Sequence, residues 1–288
     1  MCLAHRVVGS TMDVDRYLAR IGLTRRPPCT LDGLRTLHRA HLLAISYENF
    51  DVQLGRPVTI ERAPIFDKLV NRRRGGWCYE MNGLFGWALQ ALGFNVTRAT
   101  GAVRRDSMGD VSEGNHLVLK VALEEGAFLA DVGFGDGPRD PIRLAAGPFR
   151  SAGFEFALAA LDERWWRLTN HANGGAESFD FNTEPADEKL LADKCAFLQT
   201  SPQSPFVQNL VAQRHTPDGL LILRGRVLRR VKPDSIDVQT IESGAELVST
   251  VRGLFDLEVP ELASLWPKIC ARHEAVLAQK PKVSAASK

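Results

Sequence analysis

The chain has 288 residues, of which 44% are hydrophobic and 24% charged, and its formal net charge is +2. This composition is typical of a globular protein, and the near-neutral charge argues against nucleic acid or an anionic membrane as a partner. No apolar run reaches the length of about 18 residues that a membrane-spanning helix needs. The N-terminus shows no signal-peptide pattern, so we expect a cytoplasmic location. Residues 1–11 are interpreted as a loose extension before Met12, and residues 281–288 as a disordered tail.

The cysteines are scattered and odd in number, and they form no CxxC pair: Cys2, Cys29, Cys78, Cys195 and Cys270. This pattern disfavours a disulfide framework and a thiolate zinc site, and it is typical of a reducing compartment.

The first third of the chain predicts helices, because apolar residues recur there every three or four positions. Gly22 is a plausible end for the first helix, and Thr30 can cap the second. The predicted helices cover residues 12–23, 30–45, 64–71 and 78–93, with an irregular segment at 47–60.

After Gly93 the pattern changes to alternating or wholly apolar runs, which predict strands. Residues 124–126 predict a hairpin turn between the second and third runs, residues 171–178 a loop, and residues 201–206 a boundary. The runs are residues 95–103, 116–123, 127–134, 154–161, 164–170 and 219–231, followed by a C-terminal helix at about 261–279.

Cys78 is the strongest candidate for a nucleophile. It follows Gly75 and Gly76, which allow a tight turn and a close approach of the backbone, and it begins a predicted helix. Unpaired N–H groups and the helix dipole at that position favour the thiolate form of cysteine. A buried, inert cysteine on a core helix is the alternative interpretation.

A nucleophilic cysteine needs a base and a group that orients the base. His116 and Asp131 interrupt two neighbouring apolar runs, where an unpaired polar group would be costly to bury. A regular hairpin about residues 124–126 would place His116 opposite about residue 134. We therefore expect a bulge, a strong twist or a different pairing to bring His116 to Asp131.

Other polar features carry less information. Glu48 lies in an apolar context and is predicted to pair with Arg74 and brace the helix that begins at Cys78. His38 and His41 share a helix face with no acidic motif between them, which indicates a structural role. Residues 133–137 are rich in glycine and are interpreted as a turn that also offers N–H groups to a phosphate.

At this point the sequence resembles the arylamine N-acetyltransferase family. The signature RGG-x-C-x-E-x-N, together with both partner motifs in the same order, is highly specific, although each motif alone is weak. The matching segments are YENFD (47–51), IFDKLV (65–70), RRRGGWCYEMNGLF (72–85), ALGF (91–94), NHLVL (115–119), DVGFG (131–135), SPF (204–206) and Asn209.

The resemblance implies a multi-domain α+β fold with a papain-like Cys-His-Asp core. A helical bundle (1–94) would carry the cysteine, a β-barrel-like domain (95–203) the histidine and aspartate, and an α/β lid (204–288) would follow. By position, Cys78 would be the acyl-accepting nucleophile, His116 its base and Asp131 the orienting group.

The resemblance also implies acetyl-CoA as donor, with no metal, and an aromatic amine, hydroxylamine or hydrazine as acceptor. Tyr47, Val103 and Phe134 would line the acceptor pocket, and Gly133 and Gly135 would lie near the cofactor. Tyr47 stands where the family usually has Phe, which leaves the acceptor preference open, as it does the oligomeric state.

Three alternatives share these residues. A transglutaminase-like enzyme or a cysteine hydrolase would use the same triad order. An amide synthase of the same family would share every motif and ignore free acetyl-CoA. A non-catalytic protein that binds CoA would have an unreactive Cys78.

Overall fold

The computed structural model describes residues 12–279, so the predicted extension at 1–11 and tail at 281–288 lie outside the described residues. The α-helices are α1 (Val14–Arg20), α2 (Leu31–Ala44), α3 (Phe50–Gln53), α4 (Arg62–Phe66), α5 (Cys78–Ala91), α6 (Arg105–Met108), α7 (Glu188–Thr200), α8 (Pro205–Gln208), α9 (Gly244–Phe255) and α10 (Trp266–Gln279). A π-helical segment (Asp67–Asn71) extends α4, and 3₁₀ segments occur at Gly109–Ser112 and Pro260–Leu265.

The strands are β1 (Tyr47–Glu48), β2 (Asn95–Val103), β3 (His116–Leu123), β4 (Gly126–Leu129), β5 (Ile142–Arg143), β6 (Gly147–Ser151), β7 (Phe154–Ala160), β8 (Trp165–Thr169), β9 (Ser178–Pro185), β10 (Val211–Thr216), β11 (Gly219–Arg224), β12 (Val227–Val231) and β13 (Ile236–Thr240). The mixture of a helical first third and antiparallel sheets confirms the α+β class.

Local signals explain where the first helices begin and end. Thr30 accepts a hydrogen bond from the Gly33 N–H at 3.3 Å and caps α2 as predicted. Gly22 follows α1 with a φ of +77°, a conformation that a residue with a side chain rarely adopts. The predicted helices at 64–71 and 78–93 are confirmed by α4 with its π-helical segment and by α5.

The eight-stranded antiparallel sheet has the order β5-β4-β3-β2-β9-β8-β7-β6, and it must curl. Its two edges, β5 and β6, are joined by only residues 144–146, and such a link spans at most about 14 Å. A flat sheet of this size would hold its edges about 34 Å apart. The sheet is therefore an open half-barrel.

The second sheet has the order β1-β10-β11-β12-β13 and joins distant parts of the chain. Tyr47 of β1 pairs with Gln213 of β10, so a strand from the predicted helical region belongs to a sheet built mainly by the C-terminal third. Tyr47 also forms an isolated bridge with Gly76, which brings the segment before α5 to this sheet edge.

Three sequence expectations about elements were wrong or incomplete. The strand predicted at 127–134 ends at Leu129, because the chain turns away from β3 after Ala130. The segment at 47–60, expected to be irregular, contains β1 and α3. The sequence interpretation assigned no element to residues 178–200, where the structure forms β9 and α7.

The largest core lies between the first helices and one face of the half-barrel. Leu84, Phe85, Ala88 and Leu89 of α5 are buried there against Leu119 and Val121 of β3. Burying one leucine or phenylalanine side chain stabilises a fold by about 1.5–3 kcal/mol. This packing fixes the start of α5 beside the start of β3. Among residues 12–279, no helix is long and apolar enough to cross a membrane.

Candidate active site

Cys78 occupies the first turn of α5 and is 2% exposed. The side chain of Glu80 accepts a hydrogen bond from the Trp77 N–H at 3.3 Å and so closes the helix start. A Cβ atom on Gly76 would lie 2.7 Å from the Glu80 carboxylate, so only glycine fits before this turn. The Cys78 sulfur lies at the positive end of the helix, 3.9 Å from the Asn115 carbonyl oxygen.

His116 and Asp131 are brought together by a buried hydrogen bond of 2.7 Å between Nε2 of the imidazole and Oδ2 of the carboxylate. The hairpin between β3 and β4 is regular, with Lys120 opposite Leu129. Beyond that pair the Ala130 N–H donates to the Leu119 carbonyl, and Asp131 follows where the chain leaves the ladder.

The pairing of β3 with β4 contains no bulge, so that part of the expectation was wrong. Asp131 meets His116 where β4 has already ended. The irregularity in this part of the sheet lies on the other side of β2, between β2 and β9 at Ala99 and Gly101.

Asn82 ties Asp131 to α5, and its role was missed at the sequence level. Its Nδ2 donates to Asp131 Oδ1 at 2.7 Å and to the Leu117 carbonyl at 2.6 Å. Its Oδ1 accepts from the Val132 N–H at 2.9 Å. Asn82 lies four residues after Cys78, on the same helix face. That spacing within the RGG-x-C-x-E-x-N signature was the available signal.

Electrostatics favour a charged imidazole at this site. Burial by itself lowers the pKa of His116, but the charge and hydrogen bond of Asp131 and the contact with Cys78 raise the pKa to about 10. Burial would raise the pKa of Asp131, yet His116, Asn82 and the Gly133 N–H together hold that pKa below its ordinary value. Because Nε2 binds Asp131, Nδ1 is the imidazole nitrogen available to Cys78.

Two glycines allow these groups to approach closely. Gly101 lies opposite His116 in the β2–β3 ladder, and a Cβ there would come within 2.9 Å of the imidazole. A Cβ on Gly133 would lie 2.6 Å from the Asn82 amide and 2.8 Å from the Cys78 Cα. Backbone therefore packs directly against the His116 imidazole, the Asn82 amide and the Cys78 main chain.

A buried network of charged side chains stabilises the start of α5. Lys68 bonds both oxygens of Glu80 at 2.9 and 3.0 Å and Asp51 at 2.8 Å. Arg74 contacts Glu48 at 2.7 Å and Asp51 at 3.2 Å, which confirms the predicted pairing of Glu48 with Arg74. Burial raises the pKa of Glu80 to about 7 although Lys68 opposes the shift.

Phe134, which was predicted to line the acceptor pocket, lies against the His116 imidazole. Its ring centroid is 5.8 Å from that of His116 and 4.7 Å from that of Phe179, which itself lies 5.0 Å from His116. Phe179, on β9, was missed at the sequence level. The alternation Ser-Phe-Asp-Phe at residues 178–181 was the available signal.

The other two residues expected at the acceptor pocket, Tyr47 and Val103, belong to different hydrophobic clusters. Tyr47 is buried in one cluster with Trp77 and Cys78. Burial, together with the nearby charges of Cys78 and Asp136, raises the pKa of the Tyr47 phenol. Val103 packs on the cluster that contains Phe179, and its backbone exchanges two hydrogen bonds with the Asn115 side chain, at 2.8 and 3.1 Å.

The two glycines expected near a cofactor follow Asp131 directly. Gly133 lies on the Cys78 backbone, and Gly135 has a φ of +89° with no room for a Cβ, which would meet the Gln213 side chain. The two buried histidines of α2 pair elsewhere: His41 Nδ1 contacts the Tyr17 hydroxyl at 2.9 Å, and His38 Nδ1 contacts the Arg139 carbonyl at 2.8 Å. Both have the structural setting that the sequence predicted.

Within residues 12–279, no group of three or more His, Cys, Asp or Glu side chains is arranged to hold a metal ion. A cysteine at a helix start, with a histidine and an aspartate in line behind it, is typical of enzymes that transfer acyl groups through a thioester. The fold and these three residues thus define the class of protein.

Comparison with known proteins identifies the family. An N-acetyltransferase family model matches residues 30–263. The arylamine N-acetyltransferase of Mycolicibacterium smegmatis is 35% identical over 88% of this chain and 94% of its own length. A pineal gland isozyme of the same enzyme from Gallus gallus is 30% identical, over 85% of this chain and 94% of its own length.

Comparison with solved structures indicates the same family. The M. smegmatis enzyme superposes with a TM-score of 0.82 at 34% identity, covering 90% of this chain and 98% of that one. The Mycobacterium marinum enzyme in complex with CoA gives a TM-score of 0.81 at 32% identity, covering 92% and 99% of the two chains. The chain belongs to the arylamine N-acetyltransferase family and is an enzyme of that family.

Proposed function

We propose that this enzyme transfers an acetyl group from acetyl-CoA to the nitrogen of an arylamine, an arylhydroxylamine or a hydrazine. The acetyl group is carried on Cys78 between the two half-reactions. The observation that carries the proposal is the buried 2.7 Å bond from His116 to Asp131, with the other imidazole nitrogen left for Cys78 at the start of α5.

In the first half-reaction the Cys78 thiolate attacks the thioester carbonyl of acetyl-CoA. The carbon–sulfur bond to CoA then breaks, and the imidazolium of His116 gives its proton to the departing CoA thiolate. The backbone hydrogen bonds of α5 begin with the N–H groups of Glu80 and Met81, so the N–H groups of Cys78 and Tyr79 are suited to stabilise the transient oxyanion. The products are free CoA and acetyl-Cys78 beside a neutral imidazole.

In the second half-reaction the acceptor nitrogen attacks acetyl-Cys78. Neutral His116 takes the proton from that nitrogen, and the Cys78 thiolate leaves, so the resting ion pair is restored. Acylation removes the contribution of Cys78 that helps to raise the His116 pKa, and this favours the neutral imidazole when a base is needed. Asp131 holds Nε2–H throughout and stabilises the positive charge when it forms.

A cluster of arginines supports a polyanionic donor. Burial and the like charges of Arg104 and Arg272 lower the pKa of Arg224. Arg272 donates to amide oxygens of Asn209 and Gln208, at 3.3 and 3.1 Å. Neither Arg104 nor Arg224 has an ion pair with a carboxylate of residues 12–279. The phosphates of CoA are a suitable partner for such unpaired cations.

The acceptor pocket is proposed to be formed by Tyr47, Val103 and Phe134, with Gly133 and Gly135 near the donor. Aromatic walls at Phe134 and Phe179 favour a flat ring beside the imidazole. The same apolar walls limit water, and acetyl-Cys78 must react with an amine faster than with water.

We also propose the division of the chain into a helical part (1–94), a barrel part with the histidine and aspartate (95–203) and a C-terminal part that covers the site (204–288). A cytoplasmic location, where free acetyl-CoA and reduced cysteine are both present, agrees with the chemistry.

The test is the intact mass of the protein after brief exposure to acetyl-CoA, beside Cys78→Ala. One added acetyl group is expected on the wild type and none on the variant, and an arylamine should discharge it. A Cys78→Ala variant that still transfers acetyl groups would contradict the mechanism.

The same measurement separates the alternatives. A wild-type protein that forms no adduct but accepts an acyl group from a carrier-bound thioester would be an amide synthase. Release of a peptide, or acyl transfer from glutamine without CoA, would indicate a hydrolase or a transglutaminase-like enzyme. An unreactive Cys78 would indicate a protein that only binds its ligand.

A further inference from the structure

The loop at residues 131–137, called here the pocket loop, is held at both of its ends. At its start Asp131 bonds His116 and Asn82. Phe134 lies in its middle, against the imidazole. Near its end stands Asp136, which is 1% exposed and takes no part in the proposed chemistry.

Asp136 is bound by the turn at residues 170–176, called here the anchor turn. Its Oδ2 accepts from the Gly175 N–H at 2.6 Å, and its Oδ1 accepts from the Asn170 side-chain amide at 3.2 Å. Asn170 also donates to the Ala176 carbonyl at 3.0 Å. The anchor turn is fixed in its place by Arg229 of β12, which donates to the Asn173 carbonyl at 3.3 Å.

The pocket loop has little freedom between these two attachments. Gly135 packs on Gln213, which is the cross-strand partner of Tyr47. A Cβ on Gly137 would lie 3.3 Å from the Phe134 ring, so the backbone after Asp136 packs against Phe134 itself. A shift of Asp136 would therefore move Phe134. Asp131 would keep its hydrogen bond to Asn82, and Cys78 would keep its place in the first turn of α5.

We propose that Asp136 is a positioning residue that holds Phe134 against the His116 imidazole and thereby sets the affinity for the aromatic ring of the acceptor. This inference rests on the proposed function. It assigns a role in acceptor recognition to a carboxylate that does not touch the reacting atoms.

The test is Asp136→Asn, which keeps the size of the side chain. Asparagine has one acceptor oxygen, so one of the two donors, Gly175 N–H or Asn170, would face its NH₂ group instead. Acetylation of Cys78 by acetyl-CoA should stay within about twofold of wild type. The KM for an arylamine should rise about tenfold, since small displacements at a binding wall have effects of this order. The KM for hydrazine, which has no ring, should not change.

Controls make the result specific. Asp193→Asn changes an exposed carboxylate of α7 and should alter none of these values. The exchange Asp136→Asn with Asn170→Asp restores an acceptor opposite the new NH₂ group and should recover part of the arylamine KM. If Asp136→Asn does not fold, Asn170→Ser removes one of the two donors and is measured in the same way.

A second readout follows from the titration of Asp136. Burial raises its pKa to about 6, against the Gly175 N–H, Asn170 and the charge of Arg229. The other titratable groups that face it are Tyr47 of β1 and His171 of the anchor turn. For an acceptor that stays neutral in this range, the wild-type KM should rise as pH falls through about 6, because a protonated carboxyl loses an acceptor position. Asp136→Asn should show a flat profile.

Each result decides between clear outcomes. An equal loss for arylamine and hydrazine, a loss of Cys78 acetylation, or no change with either acceptor would overturn the positioning role. A wild type that is not acetylated at all would instead contradict the proposed function, and this inference with it.

Discussion

His116 and His215 are both buried, 2% and 5% exposed, yet burial leads to opposite charge states in the two regions. The pKa of His116 is raised to about 10, because Asp131 outweighs the cost of burial. The pKa of His215, behind the pocket loop, is lowered to about 3 by burial and by its neighbours Arg139, His38 and His171. Desolvation acts in the same direction on both rings, so the partner decides the charge.

The two regions differ in whether the buried histidine has a carboxylate partner. Near His116 the fold places a carboxylate, an amide that orients it and a thiol. The ring nitrogens of His171 and His215 meet no side chain in hydrogen-bond geometry within the described part of the chain. A buried histidine that stays neutral stabilises the fold only through the packing of its ring. In acid it lowers the free energy of unfolding, because the unfolded state binds a proton more readily.

Asp131→Asn should have the largest effect on activity, because it removes the negative charge that His116 faces and leaves a buried imidazole without a charged partner. The His116 pKa should fall and the imidazole should lose its orientation, and the rate of acetyl transfer should drop about 10³- to 10⁴-fold. Steady-state rates and the alkylation rate of Cys78 by iodoacetamide at pH 6.5 would measure both consequences. The exposed Asp193→Asn is the matched control, and a loss below about tenfold would show that orientation by Asp131 is not needed.

The pH dependence of stability should show both kinds of histidine. The folded pKa of His116 is above its unfolded value of about 6.5, so its contribution is complete below pH 6.5 and is lost as pH rises through about 10. The folded pKa of His215 is below that value, so stability is complete above pH 6.5 and falls as pH drops toward about 3.

Urea unfolding from pH 4 to pH 10 would resolve the two limbs. Asp131→Asn should flatten the alkaline limb, and His215→Gln should reduce the loss between pH 7 and pH 4 by about 3 kcal/mol. His273→Gln, on α10, is the control for the acid limb. An acid limb unchanged in His215→Gln would show that the buried ring does not govern acid sensitivity.

Tyr17→Phe should have the smallest effect and should touch only stability. It removes the hydroxyl that lies 2.9 Å from His41 Nδ1 in a fully buried site. A buried ring nitrogen left without that partner costs about 1–2 kcal/mol in the free energy of unfolding. Acetyl transfer should remain at the wild-type rate, and a fall in activity at full folding would give His41 a role beyond packing.

Local patterns in the sequence were sufficient for several parts of the site. The glycine pair before Cys78, and the apolar stripe of the helix after it, predicted the start of α5. The polar interruptions at His116 and Asp131 predicted two partners, because a polar group within an apolar run must find one when it is buried. These signals are local, and the strand β3 and the turn after it were confirmed.

Other parts depended on contacts between residues far apart in the chain. Phe179 reaches His116 only because β9 inserts beside β2 in the half-barrel. Asp136 is interpretable only beside Asn170 and Gly175, which lie 34 and 39 positions further along the chain. The glycine-rich composition of residues 133–137 indicated a turn. It did not indicate which residues bind that turn.

The sequence by itself determined the helix start at Cys78, the strand that begins at His116 and the family, because each depends on residue types at short, fixed spacings. Only the tertiary structure decided how Asp131 reaches His116, which histidine becomes charged and what anchors Phe134. Those outcomes depend on the register of a hairpin, on burial and on partners from distant strands. Coulomb energy and desolvation are set by distances in space, and these arise only when the sheets and helices pack.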